Sequence, residues 1–141
     1  MYLLDTNVIS ELRRAKPHGA VLAWFHAVRP DEIAIPAVVI GEIQEGAEIT
    51  RKQDHQKAAE IEAWLDHVLA NFTVLSMDGP IFREWARLMA GKADDLSGYA
   101  MIAATARAHR LTVATRNVKD FATFGVQLFD PFTYTSTGKE T

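Results

Sequence analysis

Tyr2-Leu3-Leu4-Asp5-Thr6-Asn7-Val8-Ile9 decides the fold. Three apolar residues stopped by an acid are too short and too apolar for anything but a buried strand. Asp5-Thr6-Asn7 then offers N-cap chemistry for a helix carrying Val8, Ile9 and Leu12. The alternation continues along the chain. Glu32-Ile33-Ala34-Ile35, Thr73-Val74-Leu75, Leu111-Thr112-Val113-Ala114 and Val126-Gln127-Leu128-Phe129 read as strands. Helical patterns separate them. Val21, Leu22, Phe25 and Val28 follow Pro17, and Pro36 opens a helix with Val39, Ile40, Ile43 and Ala47 on one face. Ile61, Trp64, Leu65 and Val68 stripe a helix from about Gln53 to Ala70. Ile81, Trp85, Leu88 and Met89 mark another that stops at Gly91. Met101-Ile102-Ala103-Ala104-Thr105-Ala106 forms the core of a small-residue helix ending near His109. Strands separated by helices require crossover connections. The expected fold is α/β: a three-layer α/β/α sandwich with a mostly parallel central sheet. One domain is expected over residues 1–134, with a solvated, flexible tail over residues 135–141.

A chain of 141 residues has the size of one domain and enough apolar material, 48%, to bury a core. Fifteen basic against eighteen acidic side chains leave a formal charge of −3. That excludes the strongly basic proteins that coat duplexes, though not a small site that handles one strand. Cysteine is absent, which removes disulfides, thiolate zinc sites and cysteine nucleophiles. The five histidines form no HxxxH pair, and the glycines form no Walker or dinucleotide pattern. No apolar run approaches the roughly 20 residues of a membrane span, and no signal peptide core is present. A cytoplasmic protein with no membrane partner is expected.

In open parallel sheets, ligands bind beyond the carboxyl ends of the strands, where strand order reverses. Asp5 follows the first strand, Thr115-Arg116-Asn117 follows the fourth, and Asp120 lies three residues beyond Asn117. Glu42, early in the helix after the second strand, can hang over the same edge. Several acids in one crevice repel each other unless a cation neutralises them. Oxygen ligands without His or Cys suit a hard ion, Mg²⁺ or Mn²⁺. Such an ion can polarise a phosphodiester and lower the pKa of an attacking water. Each residue alone also has a plainer reading. Asp5, Thr6 and Asn7 are ordinary helix caps, Glu42 an ordinary solvated side chain, and Asp120 an ordinary turn residue.

The joint pattern is more specific. Leu4-Asp5-Thr6-Asn7-Val8-Ile9-Ser10, Gly41-Glu42, Ile102-Ala103-Ala104-Thr105-Ala106 and Thr115-Arg116-Asn117-Val118-Lys119-Asp120-Phe121 together resemble the PIN-domain family. More closely, they resemble the ribonuclease toxins of VapBC toxin–antitoxin pairs. The resemblance runs nearly end to end, to Phe129-Asp130-Pro131-Phe132. It implies a Mg²⁺-dependent RNA endonuclease, a homodimer, and a cognate antitoxin that covers the site. By the same resemblance Asp5, Glu42 and Asp120 match metal-binding acids, and Asn117 matches a further catalytic position. Thr6 and Thr115 match supporting hydroxyls.

At position 99 the chain departs from the family. The resemblance implies an aspartate three residues before Ile102, and Tyr99 stands there. A tyrosine, with pKa about 10, is neutral at pH 7 and offers one phenolic oxygen without charge. Weakened metal binding and reduced or lost cleavage are therefore expected. Asp95, about one helical turn earlier, is a candidate substitute; otherwise Asp94 and Asp95 charge a helix N-terminus. Arg13, Arg14 and Arg116 are candidate RNA contacts, although Arg13 and Arg14 also suit a helix C-terminus. The charged helices between Glu42 and Ala70 read either as a clip for the antitoxin or as a hairpin burying its own apolar stripe. Two function classes compete: a metal-dependent RNA endonuclease, and a catalytically silent PIN domain that binds antitoxin or RNA. Metal-dependent turnover separates them. A receiver or phosphohydrolase domain is disfavoured, since Asp5-Thr6-Asn7 supplies no second acid.

Overall fold

In the computed structural model, which describes residues 1–135, five parallel strands form one sheet in the order β3-β2-β1-β4-β5. β1 (Tyr2–Leu4), β2 (Ile33–Pro36) and β3 (Thr73–Leu75) step outward on one side. β4 (Thr112–Ala114) and β5 (Leu128–Phe129) lie on the other. The order therefore reverses between β1 and β4, where Leu4 pairs with Ala114. Leu3, Leu4, Ile33, Ala34, Ile35, Val113 and Ala114 are all buried, as expected of strands covered on both faces. The expected α/β sandwich with a parallel sheet is the architecture found. Of the expected tail, 135–141, all but Thr135 lies outside the described residues.

The helices are α1 (Thr6–Arg13), α2 (Gly19–Ala27), α3 (Ala37–Arg51), α4 (His55–Asn71), α5 (Gly79–Met89), α6 (Ser97–His109) and the short α7 (Val118–Phe121). Several start on a side-chain cap. The Asp5 carboxylate accepts from Thr6 N, Asp54 from Lys57 N at 2.9 Å, and Asp78 from Ile81 N at 3.0 Å. Pro36 differs from expectation by one position. It is the last residue of β2 and the N-cap of α3, where its missing N–H breaks no sheet bond that the helix needs. Trp24 belongs to the core, with its ring 5.1 Å from Tyr2 and 5.7 Å from Phe129. Ile61, Leu65 and Val68 of α4 are buried, while Trp64 is only partly covered.

Arg107 on α6 ties three segments together. Its Nε donates to Glu84 of α5 at 2.8 Å, and its Nη1 donates to the carbonyls of Phe124 and Gly125 at 3.3 and 2.9 Å. Gly125 has φ +65°, and a Cβ there would stand 2.8 Å from Arg107 Nη1. Gly91 also has a positive φ, +75°, but faces open space. Gly91→Ala should therefore cost about 1 kcal/mol of left-handed backbone strain. Gly125→Ala should cost about 2 kcal/mol, since the displaced guanidinium also loses carbonyl bonds. Urea unfolding midpoints compare the two directly. Equal costs would show that Arg107 adds nothing at this turn.

Candidate active site

Asp5 leaves the carboxyl end of β1 and Thr115 the carboxyl end of β4, the two strands that flank the reversal. The sheet hydrogen bonds reach both residues: Asp5 N donates to Ala114 O at 3.0 Å, and Thr115 N to Phe129 O at 2.9 Å. Both side chains are nearly inaccessible, Asp5 at 4% and Thr115 at 0%. Thr115 Oγ1 donates to Asp5 Oδ2 at 2.7 Å and accepts from Asn117 N at 2.9 Å. Asp5 Oδ1 accepts from Thr6 N at 2.8 Å, so the cap and the site residue are one side chain serving both roles.

Asn7 is the residue that sequence reasoning undervalued. Its Nδ2 donates to Asp5 Oδ2 at 3.2 Å, and its Oδ1 accepts from Arg116 N at 3.2 Å. It thus stitches the start of α1 to the loop after β4. An amide two residues past the acid that ends the first strand was the available signal, but helix-cap chemistry accounts for the same letters.

Glu42 reaches the edge from the second turn of α3, where its Oε2 accepts from Thr6 Oγ1 at 3.0 Å. The first turn of α6 closes the other side; a Cβ on Gly98 would lie 3.6 Å from Glu42 Oε1. Together these elements wall a cleft of about 430 Å³, lined by Asp5, Asn7, Glu42, Asp95, Tyr99 and Asn117. No basic side chain lines it. Arg116 is exposed, with its guanidinium over the Phe132 ring at 4.5 Å. Arg13 and Arg14 stand exposed at the end of α1, with Arg14 paired to Glu11 at 3.4 Å. Asp95 is exposed in the turn before α6.

The electrostatics follow from this packing. Burial pushes the Asp5 carboxyl above its ordinary range against the pull of its three hydrogen bonds, and the Asp120 charge adds to the push. Burial likewise raises Glu42, helped by the charges of Asp5 and Glu45. Tyr99 is raised by burial and then by the charges of Asp120 and Asp5, so its phenol keeps its proton at neutral pH. Asp120, on α7, does not line the cleft but acts on it through charge.

The donor set consists of oxygens. Among the described residues, no three acidic or imidazole side chains gather closely enough to hold a metal ion by themselves. Three carboxylates, Asp5, Glu42 and the exposed Asp95, line the cleft with neutral amide and hydroxyl groups. That suits Mg²⁺ or Mn²⁺, which bind through one or two carboxylates and keep several waters. It does not suit an all-protein cage.

The PIN domain family model matches residues 2–125. A VapC ribonuclease, Y4jK of Sinorhizobium fredii, is 38% identical over 94% of this chain and 98% of the relative. The crystal structure of FitAcB from Neisseria gonorrhoeae superposes with a TM-score of 0.83 at 31% identity, covering 94% of this chain and 99% of that one. A toxin–antitoxin complex from Klebsiella pneumoniae superposes at 0.66 with 26% identity, covering 93% and 98%. With the acids at the strand reversal and a likeness spanning nearly the whole length, this chain belongs to the PIN-domain family, among its VapC-like members.

Proposed function

We propose that this chain is the toxin of a VapBC-type pair, an endonuclease that hydrolyses RNA phosphodiesters with Mg²⁺ or Mn²⁺ at Asp5 and Glu42. The observation that carries this reading is a pair of carboxylates, both raised by burial, in a cleft lined by no basic side chain. A bound divalent ion supplies the missing positive charge there, activating water and drawing charge from the scissile phosphate. The chain's own residues prepare that place. Thr115, Asn7 and Thr6 N fix the Asp5 carboxylate, and Thr6 Oγ1 fixes Glu42. Asn117 presents an amide to the same space, and Asp120 adds negative potential. Arg116, held against Phe132 beside Asn117, offers a phosphate contact at the rim, with Arg13 and Arg14 farther along. The substrate is RNA, and the toxin acts as a homodimer restrained by a cognate antitoxin. The VapC ribonuclease and the toxin–antitoxin complex among the relatives support this assignment. No helix among the described residues is long and apolar enough to cross a membrane; the proposed place of action is the cytoplasm.

Tyr99 favours a second reading, in which the domain binds RNA or antitoxin without cutting. Its neutral phenol lines the cleft where a further charge would strengthen metal binding. Incubation of a mixed RNA pool with Mg²⁺ or Mn²⁺, and with EDTA as control, separates the two. Slow cleavage is expected from this chain, cleavage faster by about tenfold or more from Tyr99→Asp, and none from Asp5→Asn. If neither this chain nor Tyr99→Asp cuts any RNA, the binding reading replaces the nuclease.

The cleft acids also have a signature that needs no metal. Glu42 ionises in the folded state above its ordinary value of 4.5. Between those two pH values the folded state holds more protons than the unfolded one, so stability falls as pH rises through the window. Above it the penalty of the partly desolvated charge remains in full. Glu42→Gln, which keeps an acceptor for the Thr6 hydroxyl, should therefore raise Tm modestly at pH 7–8 in EDTA. The gain should vanish below about pH 4.5, where both states are neutral at this position. A thermal melt series across pH reads it; a Tm lowered at pH 8 would contradict the assigned electrostatics.

A further inference from the structure

The closing motif Phe129-Asp130-Pro131-Phe132 builds a small platform. Asp130 caps a single turn of 3₁₀ helix, Pro131–Thr133, and its carboxylate accepts from Phe132 N at 2.9 Å. Pro131 is buried and anchors the turn, while Phe132 is partly exposed on it. The His18 ring packs against Phe132 with centroids 5.2 Å apart. His18 is itself fixed: its N–H donates to Glu11 at 2.9 Å, and its Nδ1 accepts from Ala20 N at 3.2 Å. On this braced ring lies the Arg116 guanidinium, 4.5 Å from the centroid. The Arg116 backbone is tied down as well. Its N–H donates to Asn7 Oδ1 at 3.2 Å, and the next residue, Asn117, donates from N to the buried Thr115 hydroxyl at 2.9 Å. Asn7 and Asn117 both line the cleft, so Arg116 is rooted between two groups of its wall.

The way this charge is held sets Arg116 apart. Arg14, Arg29, Arg51, Arg87 and Arg107 each pair with a carboxylate, which cancels much of their field. Arg116 has no carboxylate partner among the described residues; its guanidinium rests on a neutral ring. A ring contact orders a guanidinium through the quadrupole of the ring and leaves its net charge uncancelled for an incoming phosphate. The cleft is lined by acids and by no basic side chain. A polyanionic strand entering it therefore needs a cation close by that is both fixed and unneutralised. We propose that Phe132 is a positioning residue: it holds the Arg116 guanidinium beside the cleft, without neutralising it, to take a phosphate of single-stranded RNA. The proposal rests on the reading of this chain as an RNA endonuclease and adds the residue that orients its phosphate contact. Phe132→Leu keeps the charge and removes the ring, whereas Phe132→Tyr keeps both.

The test is a double-mutant cycle on RNA affinity, read by fluorescence anisotropy with a labelled single-stranded RNA of mixed sequence. Ca²⁺ replaces Mg²⁺ to keep the strand intact, the salt concentration is varied, and all variants are matched by far-UV dichroism. Arg116→Ala is expected to weaken binding about tenfold, the scale of a charge-assisted hydrogen bond. It should also reduce the salt slope by about 0.7, one phosphate contact on a single strand. Phe132→Leu should weaken binding about threefold, the scale of an exposed cation–ring contact, and Phe132→Tyr should restore the parent affinity. In the Arg116→Ala background Phe132→Leu should cost nothing further, because the ring acts only through the arginine. If Phe132→Leu costs the same with and without Arg116, the positioning role is overturned while RNA binding stands. If Arg116→Ala changes neither the affinity nor the salt slope, Arg116 takes no phosphate and the proposal falls on its own. If the parent chain binds no RNA, the nuclease reading fails and the proposal fails with it.

Discussion

The hydrogen bond from Thr115 to Asp5 is the contact on which the site depends. It is 2.7 Å long, buried, and joins residues 110 positions apart in sequence. It exists because β1 and β4 run parallel and end at the same level, so the residue after each strand arrives at one point of the sheet edge. A parallel sheet built by crossovers is what makes this possible. The outward steps from β1 in two opposite directions open a crevice at that edge, and helices α1, α3 and α6 wall it with Asp5, Glu42 and Tyr99. The hydroxyl and the carboxylate hold each other only if the sheet closes first.

The site is also where the fold is least comfortable. Asp5 is buried, Glu42 is exposed but partly desolvated at the cleft wall, and both are held above their ordinary pKa. Hydrogen bonds from Thr6, Asn7 and Thr115 offset part of that cost. The N-terminus of α1 faces Asp5 and that of α6 faces the cleft, so the positive ends of two helix dipoles help as well. The remainder is unneutralised negative potential, which under the proposed function a cation would neutralise. A site stabilised fully by its own residues would have less reason to bind one.

The sheet was legible in the sequence because its strands are almost wholly apolar and bounded by polar stops. Tyr2-Leu3-Leu4 before Asp5 and Thr112-Val113-Ala114 before Thr115 locate both halves of the strand reversal. Glu42 was legible only through its interval from the second strand, since a glutamate on a helix carries no local mark of function. Asn7 was read only as a cap, because both roles ask for a short polar side chain after a strand. The direction of Arg116 was not legible at all. Its guanidinium lies over Phe132, a residue sixteen positions away, and nothing in the letters fixes that encounter. Asp120 was expected among the metal-binding acids, yet whether it lines the cleft depends on how Tyr99 and Phe121 pack on α7.

That last dependence explains how one residue can alter the chemistry of the site without disturbing its frame. The first turn of α6 is fixed from three sides. Trp85 Nε1 donates to Ser97 O at 3.2 Å, Gly98 leaves room for Glu42, and the ring of residue 99 rests on Phe121. Only the last of these contacts involves the side chain at position 99. Backbone placement is therefore set by residues 97 and 98, and an acid or a phenol at 99 would be delivered to nearly the same point. What differs is what each does on arrival. A carboxylate would add to the negative potential that draws a cation, whereas the phenol brings none and occupies Asn117. The scaffold of the cleft and its charge are thus separable properties of this chain.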